Sequence, residues 1–215
     1  MQNFQIFINF LELSLKKPLP GINAQLLIAP KINVNQILKN NKEHAKKSSI
    51  LILFYPDAGE IMTVVIQRPK YHGVHSGQIS FPGGKCEKCD KNIIQTALRE
   101  ANEEIGINIS DVEILGNLSE LYIPPSNFIV TPVVAYTNIK PEFKIDKKEV
   151  VEVIEIKLSE LQNKNTVQKK TIEVRGTKME VPCYFVQEKI IWGATAMIIS
   201  ELLKLINDKM IKLLN

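Results

Sequence analysis

Apolar residues in the first 17 positions recur at the three- and four-residue spacing of one helical face. The run KPLPG at 17–21 contains two prolines and a glycine, which interrupt helices. We therefore predict a helix over 1–17. Residues 22–47 are rich in Lys and Asn and predict a polar connector.

Two apolar runs, SSILILFYP at 48–56 and IMTVVIQRP at 61–69, predict buried strands joined by a turn at Asp57–Gly59. Residues 70–89 are rich in Gly, His and Ser and predict a loop that contains one short strand, QISFP. Further apolar runs predict strands at 112–122, 129–137, 150–157, 171–175 and 179–187.

Residues 90–106 carry apolar positions at helical spacing, with Asp90 as the predicted N-cap and Gly106 as the predicted C-terminal cap. Another helix is predicted over 192–214. This order of elements predicts an α+β fold, an α/β/α sandwich with a mixed sheet between helices. Because no repeat or low-complexity linker divides the chain, we predict one domain over 1–215, made of an N-terminal helix and connector (1–47), a core that carries the chemistry (48–190) and a C-terminal helix (191–215).

Composition narrows the class of protein. The 215 residues are 45% apolar and 23% charged, which is typical of a globular chain. There is no run of about 18 apolar residues, so no membrane partner is predicted. The Lys-rich stretches lack interleaved aromatic residues, so no nucleic-acid partner is predicted either. Three cysteines and the absence of a recognisable secretion signal predict a cytoplasmic protein.

The helix predicted at 90–106 carries an unusual acidic cluster. At about 100° per residue, its apolar positions fall on one side, and Glu100, Glu103 and Glu104 fall within an arc of about 100° beside that side. The cluster is therefore expected at the edge of the core, partly desolvated. Crowded carboxylates in such a place either protonate or gain a cation. Oxygen ligands favour Mg²⁺ or Mn²⁺.

These positions predict distinct roles. Glu100 and Glu104, four residues apart, are the predicted pair of metal ligands, and Glu103 is a further ligand or a general base. Arg99 is predicted to orient a carboxylate. Upstream, Gly83 and Gly84 in FPGGK allow the backbone to approach a ligand, which makes the Gly84 carbonyl a candidate metal ligand. The alternative is an ordinary solvated acidic helix.

Other candidate residues have ordinary structural explanations. Cys86 and Cys89 form a C-x-x-C pair, but no second pair accompanies them, so we favour unpaired loop cysteines over a zinc or redox site. His72 and His75 are interpreted as loop residues rather than zinc ligands. Trp192 is interpreted as a packing anchor at the start of the last helix. Glu149, Glu152 and Glu155 recur every three residues, and we favour a surface role for Glu149, with a catalytic carboxylate as the minor alternative.

The segment GKCEKCDKNIIQTALREANEEIGI at 84–107 resembles the Nudix box, the glycine–loop–helix signature that ends R-E-x-x-E-E-x-G. Arg99, Glu100, Glu103, Glu104 and Gly106 are all in register with it. The front of the box differs, because Asp90 stands where Glu is usual and one extra residue precedes Arg99. That variation is similar to the coenzyme A pyrophosphatase-like subgroup.

The resemblance extends upstream, through VVIQRPKYHGVHSGQISFPGG at 64–84, and over about residues 18–205 as a whole. It implies substrate-binding roles for Arg68, His75, Gln78, Phe81 and Gly83. One position departs from the subgroup: Gly73 stands where a second arginine is usual. This departure leaves the choice of substrate open.

The resemblance implies a hydrolase that cleaves the diphosphate of a nucleoside diphosphate linked to another group. Coenzyme A and its derivatives are the expected substrates, with Mg²⁺ or Mn²⁺ as cofactor. Alternatives are ADP-ribose or a dinucleotide as substrate, a nucleotide-sensing module without catalysis, and a zinc or redox protein built on the cysteines. A homodimer is expected by analogy with the family.

Overall fold

The computed structural model describes residues 2–31, 34, 37, 44–70, 75–174 and 176–206. Within those residues, no helix is both long and apolar enough to cross a lipid bilayer.

A large sheet occupies the centre of the molecule. Its central strand β1 pairs in parallel with β7 and antiparallel with β2 and β4, so the sheet is mixed, as predicted. The path β3-β2-β1-β7-β5 is extended by β4 on β1, β6 on β7 and β8 on β2. The strands are β1 (Lys46–Asp57), β2 (Glu60–Gln67), β3 (Ile79–Ser80), β4 (Gly83–Lys85), β5 (Glu113–Asn117), β6 (Leu121–Ile123), β7 (Phe128–Tyr136) and β8 (Glu152–Lys157).

A second, antiparallel sheet follows in the order β11-β10-β9. It consists of β9 (Val167–Val174), β10 (Thr177–Val186) and β11 (Lys189–Trp192). The helices are α1 (Gln2–Leu15), α2 (Gly21–Gln25), α3 (Ile93–Ile105), α4 (Leu158–Gln162) and α5 (Gly193–Leu205).

Helices cover both faces of the large sheet. On one face, Ala97, Ala101 and Ile105 of α3 pack against buried residues of the sheet such as Leu51 and Val64. On the other face, α1 and α5 contribute to a larger cluster, which also contains Ile52 and Phe54 of β1. The predicted α+β fold with an α/β/α arrangement is confirmed.

Several boundaries differ from the prediction. The predicted connector at 22–47 contains most of α2, a short 3-10 helix at Leu26–Ile28 and the start of β1, and Ile28, Ala29 and Ile37 are buried.

The predicted strand at 112–122 is two strands, β5 and β6. Strand β9 begins four residues before the predicted start, at Val167. Strand β11 was not predicted, and the last helix begins after Trp192 rather than at it. Residues 207–214 of that predicted helix lie outside the described residues.

The predicted N-cap of α3 is wrong. Asn92 caps this helix, because its side chain accepts a 2.9 Å hydrogen bond from the Gln95 N–H. Asp90 instead binds Arg99. The predicted cap at the other end is confirmed, because Gly106 has a left-handed conformation (φ 69°) and its N–H donates to Asn102.

Candidate active site

The two glycines of FPGGK lie on β4, against the central strand β1. Gly83 pairs with Ile50 and Gly84 with Ser49. Gly83 has φ 152°, and a Cβ there would overlap the backbone of Ser49 and Ile50. Only glycine allows this close approach, which presents the Gly83 N–H to α3.

Glu104 is fully buried at the centre of the site. Its Oε2 accepts a 2.7 Å hydrogen bond from the Gly83 N–H. Its Oε1 has no hydrogen-bond partner among the described residues, and Nη1 of Arg68 lies 3.4 Å from it. Burial raises the pKa of Glu104 to about 7, against the opposing effects of Arg68 and the Gly83 N–H. The prediction of a partly desolvated residue at the core edge understated this burial.

Glu100 lies one helical turn before Glu104 and faces Gly84. A Cβ at position 84 would overlap the Glu100 carboxyl group, so the second glycine leaves the space that this carboxylate occupies. The Glu100 side chain is 14% exposed, and its Oε1 lies 3.0 Å from Nη1 of Arg99. Desolvation raises the pKa of Glu100, and the charges of Glu103 and Glu149 raise it further against the opposing effect of Arg99.

Arg99 forms ion pairs with three carboxylates of the site. Its Nε and Nη2 donate to the two oxygens of Asp90 at 2.9 and 3.0 Å, and Nη2 also donates to the Lys85 carbonyl. Its Nη1 lies 3.0 Å from Glu100 and 2.9 Å from Glu103. The guanidinium holds the pKa of Asp90 well below its usual range. We predicted one carboxylate partner for Arg99, and the structure gives it three.

The sequence reasoning missed the role of Asp90. It assigned this residue to capping because Asp near a helix start is a good N-cap. The available signal was the match of Asp90 to an acidic position of the Nudix box. That match placed an acidic residue near Arg99 in the sequence but did not indicate a bidentate ion pair between Asp90 and Arg99.

Glu103 stands apart from the buried pair. Its side chain is 54% exposed and pairs with Arg99. In the part of the chain that the structure describes, no three His, Cys, Asp or Glu side chains are arranged as a ready metal site. The structure places Glu100 against Gly84 and Glu104 against Gly83, and leaves Glu103 at the rim.

The negative charge of Glu149 contributes to raising the pKa of both Glu100 and Glu104. Glu149 belongs to a turn before β8. The Asp146 N–H donates to the Glu104 carbonyl at 3.0 Å, which fastens this turn to the end of α3.

All five predicted substrate-binding residues line one cavity of about 480 Å³, together with Gly84. The five are Arg68, His75, Gln78, Phe81 and Gly83. Within this set, Nδ1 of His75 lies 3.0 Å from Oε1 of Gln78. Trp192, which we interpreted as a packing anchor, also lines the cavity. His72 and Gly73 lie outside the described residues.

Among the described residues, the three cysteines form no metal site with other side chains. Cys86, Cys89 and Cys183 are free thiols, and Cys183 is buried. The Sγ of Cys89 lies 3.7 Å from a carboxylate oxygen of Glu87.

Comparison with known proteins identifies the family. The NUDIX domain family matches residues 45–174. The chain belongs to the Nudix family. This match contains β1 through β9, and therefore the glycines of β4 and the whole of α3.

Relatives agree with this assignment. Over 135 residues, the chain is 38% identical to the uncharacterized Nudix hydrolase NudL of Pectobacterium atrosepticum, an alignment that covers 63% of this chain and 70% of that protein. The NudL of Photorhabdus laumondii is 38% identical over 128 residues, covering 60% and 68% of the two chains. With a Nudix domain and Nudix hydrolases as relatives, the chain is a Nudix pyrophosphatase.

A solved structure supports the fold. The NUDIX domain of Shewanella oneidensis NrtR, crystallised with ADP ribose, matches with a TM-score of 0.50 and 15% sequence identity. The match covers 81% of this chain and 99% of that one.

Proposed function

We propose that this Nudix enzyme hydrolyses the diphosphate of coenzyme A or its derivatives, to 4′-phosphopantetheine and adenosine 3′,5′-bisphosphate, with Mg²⁺ or Mn²⁺. The observation that carries the metal-dependent chemistry is Glu104. This carboxylate is fully buried, and its Oε1 has no hydrogen-bond partner among the described residues although Arg68 lies 3.4 Å away, so a bound cation would lower the cost of burying the charge.

The donor set fits a divalent cation. Glu100 and Glu104 supply carboxylate oxygens, and position 84 has no side chain to separate the backbone from Glu100. Hard cations of this kind take few protein carboxylates and complete their shell with waters and substrate phosphates. Glu100, Glu104 and the Gly84 carbonyl would hold the metal, which would supply charge neutralisation and a more acidic bound water.

The chain's own residues then have separate tasks. Arg99, fixed by Asp90, positions Glu100 and Glu103. The half-exposed Glu103 is placed to accept a proton at the rim or to serve as a further ligand. Arg68 supplies positive charge between Glu104 and the cavity, where a diphosphate would otherwise meet the carboxylates.

Coenzyme A is supported by the similarity of 64–84 to the coenzyme A pyrophosphatase-like subgroup and by the position of its key residues around the cavity. A second substrate class, ADP-ribose, is kept because Gly73 replaces an arginine usual in that subgroup and because the NrtR domain was crystallised with ADP ribose. A dinucleotide substrate and a non-catalytic sensor also stay as alternatives.

The test compares kcat/KM for coenzyme A, ADP-ribose, NADH and diadenosine polyphosphates, with Mg²⁺, with Mn²⁺ and with a chelator. We expect coenzyme A to give the highest value, two separable products and no turnover with the chelator. A higher value for ADP-ribose or a dinucleotide would replace the proposed substrate. Binding without turnover of any compound would indicate a sensor. A cytoplasmic location and a homodimer stay predictions.

A further inference from the structure

Cys86 and Cys89 lie in the segment that connects β4 to α3, between the glycine strand and the acidic helix. The Glu87 carbonyl accepts a 3.2 Å hydrogen bond from the Asp90 N–H, which closes a turn at this point. Cys89 is exposed, Cys86 is half-buried, and both are free thiols. The turn therefore carries two thiols three residues apart, and solvent reaches both of them.

Arg99 binds the residues on both sides of this cysteine pair. The carbonyl of Lys85, the residue before the pair, accepts a 3.1 Å hydrogen bond from Nη2 of Arg99. The carboxylate of Asp90, the residue after the pair, accepts from Nε and Nη2 of Arg99 at 2.9 and 3.0 Å. Nη1 of Arg99 lies 3.0 Å from Glu100 and 2.9 Å from Glu103. A change in the turn therefore reaches both glutamates through one guanidinium group.

The two cysteines are held in different ways. The Cys86 N–H donates a 3.0 Å hydrogen bond to the Lys47 carbonyl of β1, which fixes Cys86 on the large sheet. The Sγ of Cys89 lies 3.7 Å from a carboxylate oxygen of Glu87, within the turn itself. A disulfide requires Cα atoms roughly 4.4–6.8 Å apart and a fixed dihedral angle about the S–S bond. Because Cys86 is fixed, the adjustment to that geometry falls on Cys89 and on its neighbour Asp90.

The position of the Asp90 carboxylate depends on the backbone of the turn. Its Oδ2 accepts a 2.8 Å hydrogen bond from the Glu87 N–H and a 2.9 Å hydrogen bond from the Thr96 hydroxyl, in addition to the bond from Arg99. A bond between Cys86 and Cys89 would enclose Glu87 in a ring of four residues and turn its N–H. Asp90 would then lose one of the donors that hold it against Arg99.

We propose that Cys86 and Cys89 form a reversible disulfide, which lowers the activity of the enzyme by moving Asp90 away from Arg99. This inference goes beyond the proposed function and does not depend on which diphosphate is the substrate. The C-x-x-C spacing alone favoured unpaired cysteines, and the contacts of Arg99 supply the connection to the site. In a reducing compartment, disulfides are usually transient and redox-sensing, which fits a pair on an accessible turn.

The oxidant in this proposal is a small disulfide of the class of glutathione disulfide. The exposed sulfur of Cys89 attacks one sulfur of glutathione disulfide, which forms a mixed disulfide and releases one glutathione. The sulfur of Cys86 then attacks the Cys89 sulfur, which forms the Cys86–Cys89 bond and releases the second glutathione. The protein loses two hydrogens and two electrons, and the two glutathione thiols gain them. Excess glutathione reverses both steps.

The first test equilibrates the folded protein with mixtures of glutathione and glutathione disulfide, and then counts its thiols after denaturation. The chain has three cysteines, of which Cys183 is buried, so the count should fall from three to one. Peptide mapping should place the new bond between Cys86 and Cys89. A count that stays at three, or a product that keeps glutathione bound to Cys89, would overturn the proposal.

The second test measures kcat before oxidation, after it and after reduction with dithiothreitol, on the compound with the highest kcat/KM. Oxidation should lower the wild-type kcat about ten-fold, because small displacements of positioning groups slow the chemical step, and reduction should restore it. Cys89→Ser should keep its kcat under the same oxidation. Cys183→Ala retains the pair and is the matched control, so it should respond as the wild type does. An oxidised wild type with unchanged kcat would overturn the proposal.

Oxidation of Asp90→Asn tests the route through Asp90. This variant has already lost the charge that pairs with Arg99, so forming the disulfide should lower its kcat by less than about two-fold further. A further loss as large as that of the wild type would mean that the bond acts on the site without Asp90, which would overturn the proposed mechanism.

Discussion

The backbone N–H of Gly83 donates a 2.7 Å hydrogen bond to the carboxylate of Glu104, which joins the glycine strand to the acidic helix. This contact exists because Gly83 has no side chain and packs directly on the backbone of β1. The glycines of FPGGK and the glutamates of α3 are therefore one structural unit, although they lie about 20 residues apart.

Alanine substitutions at Gly83 and Gly84 should have different effects, the first on stability and the second on kcat. Gly83→Ala places a methyl group on the Ser49 and Ile50 backbone, so we expect a loss of several kcal/mol of unfolding free energy or no folded protein. In Gly84→Ala the atoms nearest to the new methyl group belong to the Glu100 carboxyl, a movable group, so we expect a folded protein with kcat lowered about 100-fold. Urea unfolding and steady-state kinetics measure both. Equal loss of stability in the two variants would contradict this distinction.

Glu104 makes the stability of the metal-free protein depend on pH. Burial raises its pKa from 4.5 to about 7, so the folded state binds this proton more tightly than the unfolded state does. Its stabilising contribution is present below pH 4.5 and is lost as the pH rises through 7, by about 3 kcal/mol in total. Glu104→Gln should remove this loss. With a chelator present, urea unfolding should show the unfolding free energy of the variant rising relative to that of the wild type between pH 5 and pH 8. A difference in unfolding free energy that stays constant with pH would contradict the shifted pKa.

Asp90 should act on catalysis through Arg99. Asp90→Asn removes the charge of the two-pronged pair, so Arg99 should hold Glu100 and Glu103 less firmly. We expect kcat to fall about ten-fold with little change in KM. Asp111→Asn, an exposed acid after α3, is the control and should leave kcat unchanged. If Asp90→Asn keeps wild-type kcat, Arg99 does not depend on this residue for its orientation.

The parts of the fold that could be predicted are those marked by a local sequence signal, such as a glycine at a turn. The turn after β1 was predictable because Gly59 adopts a positive φ of 84° next to Ala58. The turn before β11 was not, because Gln187 and Glu188 both have positive φ without the Gly or Asn that signals such a turn. Strand β11 was consequently not predicted.

The sequence indicated on which side of α3 the acidic residues lie, but not how deeply Glu104 is buried. Helical spacing placed Glu100 and Glu104 beside the apolar face, as observed. It gave no indication that β4 and Arg68 would cover Glu104 completely, because those contacts join segments distant in sequence. The role of Asp90 was missed because an Asp just before a helix is a good N-cap, whereas here Asn92 caps the helix and Asp90 pairs with Arg99.

Direct binding of Mn²⁺, measured by calorimetry without substrate, tests the central claim that Glu100 and Glu104 hold the metal. We predict that Glu100→Gln and Glu104→Gln each weaken binding at least ten-fold, whereas Glu142→Gln, whose side chain is 90% exposed, binds as the wild type does. Wild-type affinity for Mn²⁺ in Glu104→Gln would contradict the account.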